Sequence, residues 1–547
     1  MSSAAQIRST AQNPGESPPI GTSLQSGAWL GSRVGSTGSQ FAEWIARYPA
    51  WWAAVVALVW LLARAWYATR PLWFDELFTF YIARLPRLDG FFQALPADGN
   101  PPLYHLLARA SMHLFGETEL ALRLPAMFGF VGAALAVYVY VRRRRGPVFG
   151  VFGMLFLLCG PMAAYGSEAR PYSLMLGFTG LALMSWQAAA AREARRALPL
   201  IGVAIGIGGA IASHHYGAVH VGICLLFGEG VRILQRRRLD APLYCAAAAG
   251  LSPLAVTLPL AAAAHRVMLA YIKQSPVFWA KPDLGMVLSF GEMLAIWVPA
   301  AFLVLWWSTR DAFLRPGAPN NRAAEGVPAH EAAAAIGLAL MVPLMIGLTA
   351  LTTHYYMDRY AIGSAMGIAI LAGLVAPALG RSSSHAAAVA SLCILLMVTA
   401  IGIRPLASAA LHGTAWRRAA SARPASLLRK APGEDPIVIA SALEYAQDWR
   451  YAPPQLRQRL HYLADVPYAV RQPDFLPEVS LVSDQAFLPC KADSYRQFVA
   501  AHRRFFVYTV GTPRLEWTVP RLRAASWSLR VVGREGDLTL YRADAPR

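Results

Sequence analysis

Two adjacent carboxylates, Asp75 and Glu76, stand in the sequence PLWFDELFTF among tryptophan, leucine and phenylalanine. A carboxylate at the edge of an apolar segment is partly desolvated, and it can act as a general base when a proton donor comes within reach. The plain alternative is a pair of solvated acids at the start of a helix, where the helix dipole favours negative charge. The apolar neighbours favour the chemical interpretation.

The segment GNPPLYHLL contributes three further polar candidates, Asn100, Tyr104 and His105. We interpret them as lining a cavity that they share with Asp75. The two prolines cannot continue a helix but can begin one, so residues 103–115 are predicted to form an amphipathic helix in the membrane interface. The alternative is that this helix is only an interfacial anchor.

Basic and aromatic residues recur in four other short segments. The planar fork of arginine is suited to phosphate, so Arg170 in SEARPYS is a candidate phosphate ligand. Glu168 and Arg170 could instead pair with each other, which would contribute little at an interface. The remaining candidates for binding in the cavity are Tyr172, His214, His215, Tyr216, Lys273, Arg359 and Tyr360. A ring of bases and aromatic residues around one acidic pair indicates an anionic, lipid-linked substrate.

The adjacent histidines His214 and His215 do not indicate a metal site. Two metal ligands on one helical face need a spacing of four residues, and these two are neighbours. Such a pair is more often a hydrogen-bonded feature of an interface. A divalent metal could assist the chemistry, but no ligand set requires one, and no cofactor is expected.

The composition places the chain among integral membrane proteins. Its 547 residues are 56% hydrophobic and only 15% charged, whereas soluble domains carry roughly 25% charged residues. The net charge of +19 would indicate nucleic acid in a soluble protein. Here the arginines form short clusters between apolar runs, as membrane topology requires, so nucleic acid is not an expected partner.

A spanning helix needs about 20 apolar residues, and the sequence contains about eleven such runs. They lie at 49–68, 124–141, 147–164, 172–190, 198–213, 217–231, 241–263, 286–307, 332–352, 361–379 and 386–403. Arginine clusters at 142–145, 192–196 and 232–238 fall in alternate loops, which the positive-inside rule makes cytoplasmic. The candidate residues then share the outer face, in loops 69–123, 165–171, 213–216, 264–285 and 353–360.

The chain divides into three parts by composition. Residues 1–48 are rich in Ser, Gly, Gln and Ala and are predicted to form a disordered cytoplasmic tail. Residues 49–403 form the transmembrane domain with its large first outer loop. Residues 404–547 are predicted to form a soluble α/β domain on the outer face, reached through a linker near 404–435. Its predicted strands are IVIASA, RLHYLAD, RFFVYTV and LTLYRA.

These motifs resemble a known family in their order and in the side on which they fall. An acidic pair in the first outer loop, a proline-rich helix start, an EARPY loop and a late outer RY are similar to the lipid-carrier-dependent glycosyltransferases of the GT-C fold. The branch that the chain resembles most holds the protein O-mannosyltransferases and the lipid A aminoarabinose transferase. The resemblance covers about residues 50–400.

The resemblance implies an enzyme of the hexosyl- or pentosyltransferase class in a bacterial inner membrane, with its site facing the periplasm. It implies transfer of a sugar from polyprenyl (undecaprenyl) phosphate to a hydroxyl of a lipid, glycan or protein acceptor, with inversion. Asp75 would be the catalytic base, and Glu76 would orient it or bind the acceptor. Glu168 would lie near the donor sugar. Arg170 and Arg359 would meet the departing phosphate.

One departure from the family and two other functional classes bear on this reading. The lipid A branch often has a basic residue before the double proline, where this chain has Asn100, so the carrier phosphate could instead use Lys273 or Arg266. A transporter or flippase of polyprenyl lipids usually places acids within its spans and shows two related halves. In this sequence the acids lie at the ends of spans on one side, and no internal repeat is visible. A membrane assembly factor would not need an acid pair beside a basic ring.

Overall fold

The computed structural model describes residues 38–192, 194–295, 326–379, 383–412 and 427–546. The predicted tail therefore lies mostly outside the described residues, as does the second half of the predicted span 286–307. The last part of the tail is described and is helical over residues 38–47, contrary to the prediction of disorder. Its Trp44 packs on Trp52 of the following helix, with ring centroids 4.8 Å apart, and aromatic packing of this kind stabilises order.

The membrane part is a succession of helices. The first half contains α1 (Pro49–Tyr67), α2 (Phe74–Ala83), α3 (Leu88–Asp98), α4 (Pro102–Phe115), α5 (Glu119–Arg145), α6 (Pro147–Cys159), α7 (Tyr172–Ala190) and α8 (Ala197–Ser213). The second half contains α9 (Gly217–Arg236), α10 (Ala241–Gly250), α11 (Leu254–Gln274), α12 (Gly285–Ala295), α13 (Ala329–Ala339), α14 (Met341–Leu351), α15 (Gly363–Val375) and α16 (Ser383–His412). Three 3-10 turns occupy Pro161–Ser167, Asp358–Ala361 and Ala376–Leu379.

Three helices, α1, α5 and α9, are long and apolar enough to cross a membrane. Three bent pairs also qualify: α6 with the turn Pro161–Ser167, α10 with the start of α11, and α13 with α14, at angles of 73°, 46° and 56°. By length and composition, the described residues therefore hold three spans, or up to six if each bent pair is one span. Proline stands at two of the breaks, where it cannot continue the preceding helix.

The predicted interfacial helix at 103–115 is confirmed as a helix by α4. Two predicted irregular segments are wrong in part. The outer loop predicted from residue 264 is helical as far as Gln274, because α11 continues through it. The linker predicted from residue 404 is helical as far as His412, because α16 continues through it.

Close backbone contact fixes α5 against α7. A Cβ atom added at Gly129 would lie 2.5 Å from the Cα of Leu174, so only glycine permits this approach. Small residues at crossings of this kind let membrane helices pack tightly. At the far end of α5, Arg144 pairs with the buried carboxylate of Glu331 in α13. The contact with α7 matters for the site, because α7 begins directly after the SEARP segment and α5 carries Arg123.

The C-terminal domain contains a six-stranded sheet in the order β3-β2-β1-β4-β6-β5. Its strands are β1 (Ile437–Ile439), β2 (Leu460–Ala464), β3 (Ala492–Ser494), β4 (Arg504–Thr509), β5 (Ser528–Glu535) and β6 (Leu538–Asp544). Neighbours among β1 to β4 are parallel, whereas β6 is antiparallel to β4 and β5. Its helices are α17 (Ala442–Tyr451), α18 (Pro454–Arg457), α19 (Val466–Ala469), α20 (Leu476–Ser483), α21 (Tyr495–Ala501) and α22 (Thr518–Ala524). The four predicted strands are confirmed.

Helix α17 joins the C-terminal domain to the first outer loop. The hydroxyl of Tyr451 accepts a hydrogen bond from the backbone N–H of Leu72 at 2.8 Å and donates one to Glu119 at 3.0 Å. The guanidinium of Arg450 lies 3.9 Å from the centroid of the Phe80 ring in α2, a favourable cation–π distance. The sheet domain is thus held against the helix that carries Asp75.

Candidate active site

The carboxylate of Asp75 lies between two guanidinium groups. Oδ2 of Asp75 is 3.4 Å from Nη2 of Arg359 and 3.9 Å from Nε of Arg170. The Asp75 side chain is 21% exposed, so water and a substrate can reach it. The structure therefore brings together three predicted residues that are far apart in the sequence.

Of the two roles predicted for Glu76, orienting Asp75 or binding the acceptor, its contacts favour the first. It is fully buried and forms a two-pronged ion pair with Arg123 of α5, in which Nε of Arg123 donates to Oε1 at 2.7 Å. Oε1 also accepts from the N–H of Ala169 at 2.7 Å, and Oε2 accepts from the N–H of Trp73 at 3.1 Å. Both oxygens are engaged, so the predicted alternative of acceptor binding is wrong, and Glu76 instead ties α2 to the SEARP segment.

Arg123 extends this buried network to the end of α1. Its guanidinium donates to the backbone oxygens of Ala68, Arg70 and Pro71, at 2.8, 2.6 and 3.1 Å. A buried arginine needs such acceptors, because an unpaired charge is costly away from water. The three carbonyls and the Glu76 carboxylate fix the chain that leads into α2.

The position of Arg170 is set by Asp98, a residue that sequence analysis did not single out. Nη1 of Arg170 lies 2.8 Å from Oδ1 of Asp98 and donates to the backbone oxygen of Asp75 at 3.2 Å. Burial alone would raise the pKa of Asp98, but the charge of Arg170 and the contact with His105 outweigh burial and lower it. Asp98 is therefore a buried anion that holds Arg170 beside Asp75.

The polar residues of GNPPLYH contact other parts of the protein and do not form the cavity wall that was predicted. Nδ2 of Asn100 donates to Oδ2 of Asp98 at 2.8 Å, and Nε2 of His105 lies 3.1 Å from the same oxygen. The buried Tyr104 hydroxyl donates to the backbone oxygen of Leu122 at 3.0 Å. The prediction placed these side chains toward substrate, but the first two are taken up by Asp98 and the third by the start of α5.

Glu168 lies at the end of the turn Pro161–Ser167, with its side chain 18% exposed and 4.0 Å from Arg70. Burial, together with the charge of Glu76, raises the pKa of Glu168 to about 7. Arg70 and Arg359 oppose these effects. A carboxyl with this pKa changes its charge near neutral pH.

Aromatic and histidine rings form a continuous wall beside Arg359. The ring centroids of Tyr172 and His214 are 5.0 Å apart, and those of Tyr216 and Tyr360 are 4.8 Å apart. The guanidinium of Arg359 lies 5.6 Å from the centroid of the Tyr172 ring. The structure thus brings this predicted group together from three separate segments.

The two histidines of this wall are neutral at pH 7. Burial lowers the pKa of His214, and the nearby His215 and arginines lower it further. Burial also lowers the pKa of His215, although its contact with the backbone oxygen of Gly99, at 2.9 Å, opposes this. The contact of His215 with Gly99 links the wall to the double-proline segment.

The chain is similar to known proteins in sequence and in fold. Residues 99–262 match the family described as dolichyl-phosphate-mannose-protein mannosyltransferase. The crystal structure of ArnT from Cupriavidus metallidurans bound to undecaprenyl phosphate has 16% sequence identity and a TM-score of 0.52, covering 90% of this chain and 97% of its own. The apo structure of the same ArnT has 16% identity and a TM-score of 0.51, with the same coverage. None of the curated proteins compared matches the chain.

The chain has the GT-C fold. The family match and the shared fold together indicate a glycosyltransferase, which confirms the predicted fold class and enzyme class. GT-C relatives are multi-pass membrane proteins, in agreement with the apolar helices seen here.

The structure does not pair Lys273 with Asp75, although Lys273 was predicted to bind in the same cavity. It is an exposed residue in the last turn of α11, and among the described residues it makes no ion pair or hydrogen bond with the other candidates. Arg266 of the same helix is also exposed. Arg359 and Arg170 are the cations that the structure places beside Asp75.

Asp474 of the C-terminal domain is within the electrostatic range of Asp75. Burial raises the pKa of Asp474, and the charge of Asp75 raises it further, while Trp279 and Arg514 lower it. The N–H of Trp279 donates to the backbone oxygen of Pro473 at 3.2 Å. No sequence motif marked these residues, because their relation to Asp75 arises only when the domain docks.

No metal site is formed by the residues that the structure covers. No group of three or more His, Cys, Asp and Glu side chains in these segments converges so that it could hold an ion. The carboxylate of Asp75 is flanked by the guanidinium groups of Arg359 and Arg170.

Proposed function

We propose that this chain transfers a sugar from a polyprenyl phosphate carrier to an acceptor hydroxyl, with inversion at the anomeric carbon and Asp75 as general base. In a bacterium the carrier would be undecaprenyl phosphate, the lipid bound by the ArnT structure of the same fold. The observation that carries the proposal is the partly exposed Asp75 carboxylate flanked by Arg170 and Arg359.

The reaction requires an alcohol to be made nucleophilic. The acceptor oxygen forms a bond to the anomeric carbon while its proton passes to Asp75, and the bond from that carbon to the phosphate oxygen breaks on the opposite face. An alcohol is a poor nucleophile, so a positioned carboxylate contributes typically 10²–10⁴-fold. Attack opposite the leaving group gives inversion.

The carrier phosphate leaves with an additional negative charge, so fixed cations near it favour the transition state. Arg359 suits this role because its buried Nε has no hydrogen-bond partner among the described residues, and its Nη2 is at the edge of hydrogen-bonding range from Asp75. Nε of Arg170 is likewise without a hydrogen bond within the same part of the chain. Both donors are available to phosphate oxygens.

The two substrates would reach Asp75 from different phases. The carrier is lipid-soluble and would enter between helices near Tyr172 and Tyr360. The acceptor would enter from the side of the C-terminal domain, where the charge of Asp75 acts on Asp474. We place this side in the periplasm and the helices in the inner membrane, in keeping with the arginine clusters at the other end of the helices.

The deciding experiment is a transfer assay with full-length protein in detergent, radiolabelled polyprenyl-phosphate sugars and envelope acceptors. Wild type should move label to an acceptor, and Asp75→Asn should reduce transfer by at least about 10²-fold. Asp89→Asn is the matched control, because Asp89 is an exposed acid of α3 that pairs with Arg87. Equal transfer by Asp75→Asn and wild type would remove Asp75 as the base.

A further inference from the structure

The C-terminal sheet has a point where its connections diverge. The chain passes from β1 to β2 and β3 on one side, and β4 then returns to the other side of β1. Open sheets of parallel strands bind ligands at the carboxyl ends of the strands flanking such a switch point. Here those ends are Ile439 of β1 and Thr509 of β4, which lead into Ser441 and Gly511.

One face of α17 presents polar groups at this point. Ser441 is the N-cap residue, and Glu444 and Asp448 follow three and seven positions later, which places the three on one side of the helix. Tyr508 of β4 is near this face. Burial raises the pKa of Tyr508, and the charges of Asp448 and Glu444 add to that effect. Glu516 lies close to Glu444, since its charge adds to the effect of burial in raising the pKa of Glu444.

Two of these groups are buried without a hydrogen bond. Oγ of Ser441 and Oδ2 of Asp448 have no partner among the described residues, although the residues are only 1% and 8% exposed. Buried polar atoms are normally satisfied. Buried Glu478 of the same domain shows the usual arrangement, because it accepts from Tyr462, Trp517 and the N–H of Asp465.

No arginine or lysine among the described residues pairs with the carboxyl groups of α17 at the switch point. Among the described residues, neither Glu444 nor Asp448 pairs with an arginine or lysine, and the only charge acting appreciably on Asp448 is that of Glu444. Glu516 is partly occupied, because its Oε1 accepts from the N–H of Val510 at 2.5 Å. Burial raises the pKa of all three carboxyl groups, and a bound cation would favour their ionised forms.

We infer that the switch-point site, formed by Ser441, Glu444, Asp448 and Glu516, binds a primary ammonium group. An ammonium donates three hydrogen bonds, and the free Oδ2 of Asp448 together with Glu444, one turn earlier on the same face of α17, offers acceptors for it. A single metal ion fits less well, because no three of the acidic, histidine or cysteine side chains in the described segments converge closely enough to hold one. The amine could belong to a free small molecule or to a lipid headgroup, and the shared chemistry is the ammonium.

The test is calorimetric titration of the full-length protein in detergent with ethanolamine as the probe. Wild type should bind it saturably, and Glu444→Gln and Asp448→Asn should each weaken binding at least tenfold. Glu434→Gln is the matched control, because Glu434 is an exposed acid that precedes β1 at the opposite end of the strand. N-acetylethanolamine, which has a similar shape without the charge, should not bind.

Three results would overturn the inference: no saturable binding of ethanolamine to wild type, equal binding by Glu444→Gln, or equal binding of the neutral analogue. Phosphatidylethanolamine nanodiscs compared with phosphatidylglycerol nanodiscs then distinguish a headgroup from a free amine. Glu444 is only partly buried, so Glu444→Gln should fold even if Asp448→Asn does not. The site lies in the sheet domain, so the outcome does not depend on the proposed transfer reaction.

Discussion

Asp75 and Glu76 are neighbours in the chain, but their carboxylates belong to two separate charge networks. Asp75 is partly exposed and faces Arg170 and Arg359, whereas Glu76 is fully buried and is held by Arg123. Successive residues of a helix point in different directions, so one turn of α2 serves both networks. The first is available for chemistry, and the second holds the backbone that presents it.

The buried pair should dominate stability. Removing one partner of a buried ion pair typically costs about 3–5 kcal/mol, because the other charge remains without compensation. Glu76→Gln should therefore lower the melting temperature of the detergent-solubilised protein markedly, while Asp75→Asn should leave it nearly unchanged. Intrinsic tryptophan fluorescence during heating would measure both. Similar melting temperatures for the two variants would contradict a structural role for Glu76.

Arg359 and Arg170 should differ in their effects on the carrier lipid. Arg359 has a free buried donor, and a hydrogen bond to a charged group contributes about 1.5–3 kcal/mol, so Arg359→Ala should weaken undecaprenyl phosphate binding by roughly 10–100-fold. Arg170 is already held by Asp98, so Arg170→Ala should reduce turnover more than lipid binding. Binding to labelled carrier lipid, compared with single-turnover rates, separates the two. A larger loss of lipid binding in Arg170→Ala would reverse the assignment.

Transfer should rise with pH through neutrality. The pKa of Glu168 is raised to about 7 by burial, so the carboxylate that can accept hydrogen bonds from a donor sugar forms only as pH passes that value. Glu168→Gln should remove this inflection and lower the rate above pH 7. The measurement is the pH dependence of transfer between pH 5.5 and 8.5 for both proteins. An unchanged inflection in Glu168→Gln would assign it to another group.

Asp484 should make stability depend on pH at the junction of the two domains. Burial, together with the charge of Asp98, raises the pKa of Asp484 to about 7, and neither carboxylate oxygen has a hydrogen-bond partner in the described structure. The folded protein therefore binds more protons than the unfolded chain between about pH 4 and 7, and stability falls as pH rises through that window.

Asp484→Asn removes this buried charge. It should raise the free energy of unfolding by about 1–3 kcal/mol at pH 8 and change it little at pH 5. Melting temperatures at the two pH values provide the measurement. A variant that is less stable than wild type at pH 8 would show that the ionised carboxylate has a stabilising partner.

Much of the architecture follows from local sequence. Apolar runs of sufficient length coincide with helices, and four alternating segments coincide with β1, β2, β4 and β6. The two other strands were not predicted. β3 has only three residues, and β5 is largely exposed at the edge of the sheet, so neither carries a clear apolar pattern.

The site was predictable in its members but not in its pairings. Loop position alone grouped Asp75, Arg170, His214 and Arg359 on one face. Arg123 and Asp98 were missed because their partners lie 47 and 72 residues away in the sequence. Arg123 did carry a signal, since an arginine at the outer end of an apolar run opposes the positive-inside rule. Asn100 and His105 were assigned to the cavity because their common partner was not recognised.

Helix α5 connects the buried pair at the site with a second ion pair on the far side of the membrane part. Arg123 holds Glu76 near one end, and Arg144 holds Glu331 near the other. At the rise of an α-helix these two arginines are about 32 Å apart along the axis, close to the roughly 30 Å thickness of a bilayer's hydrocarbon core. One uninterrupted helix thus sets the height of the Asp75 carboxylate above the opposite membrane surface, so bilayer thickness decides whether this carboxylate meets headgroups or acyl chains.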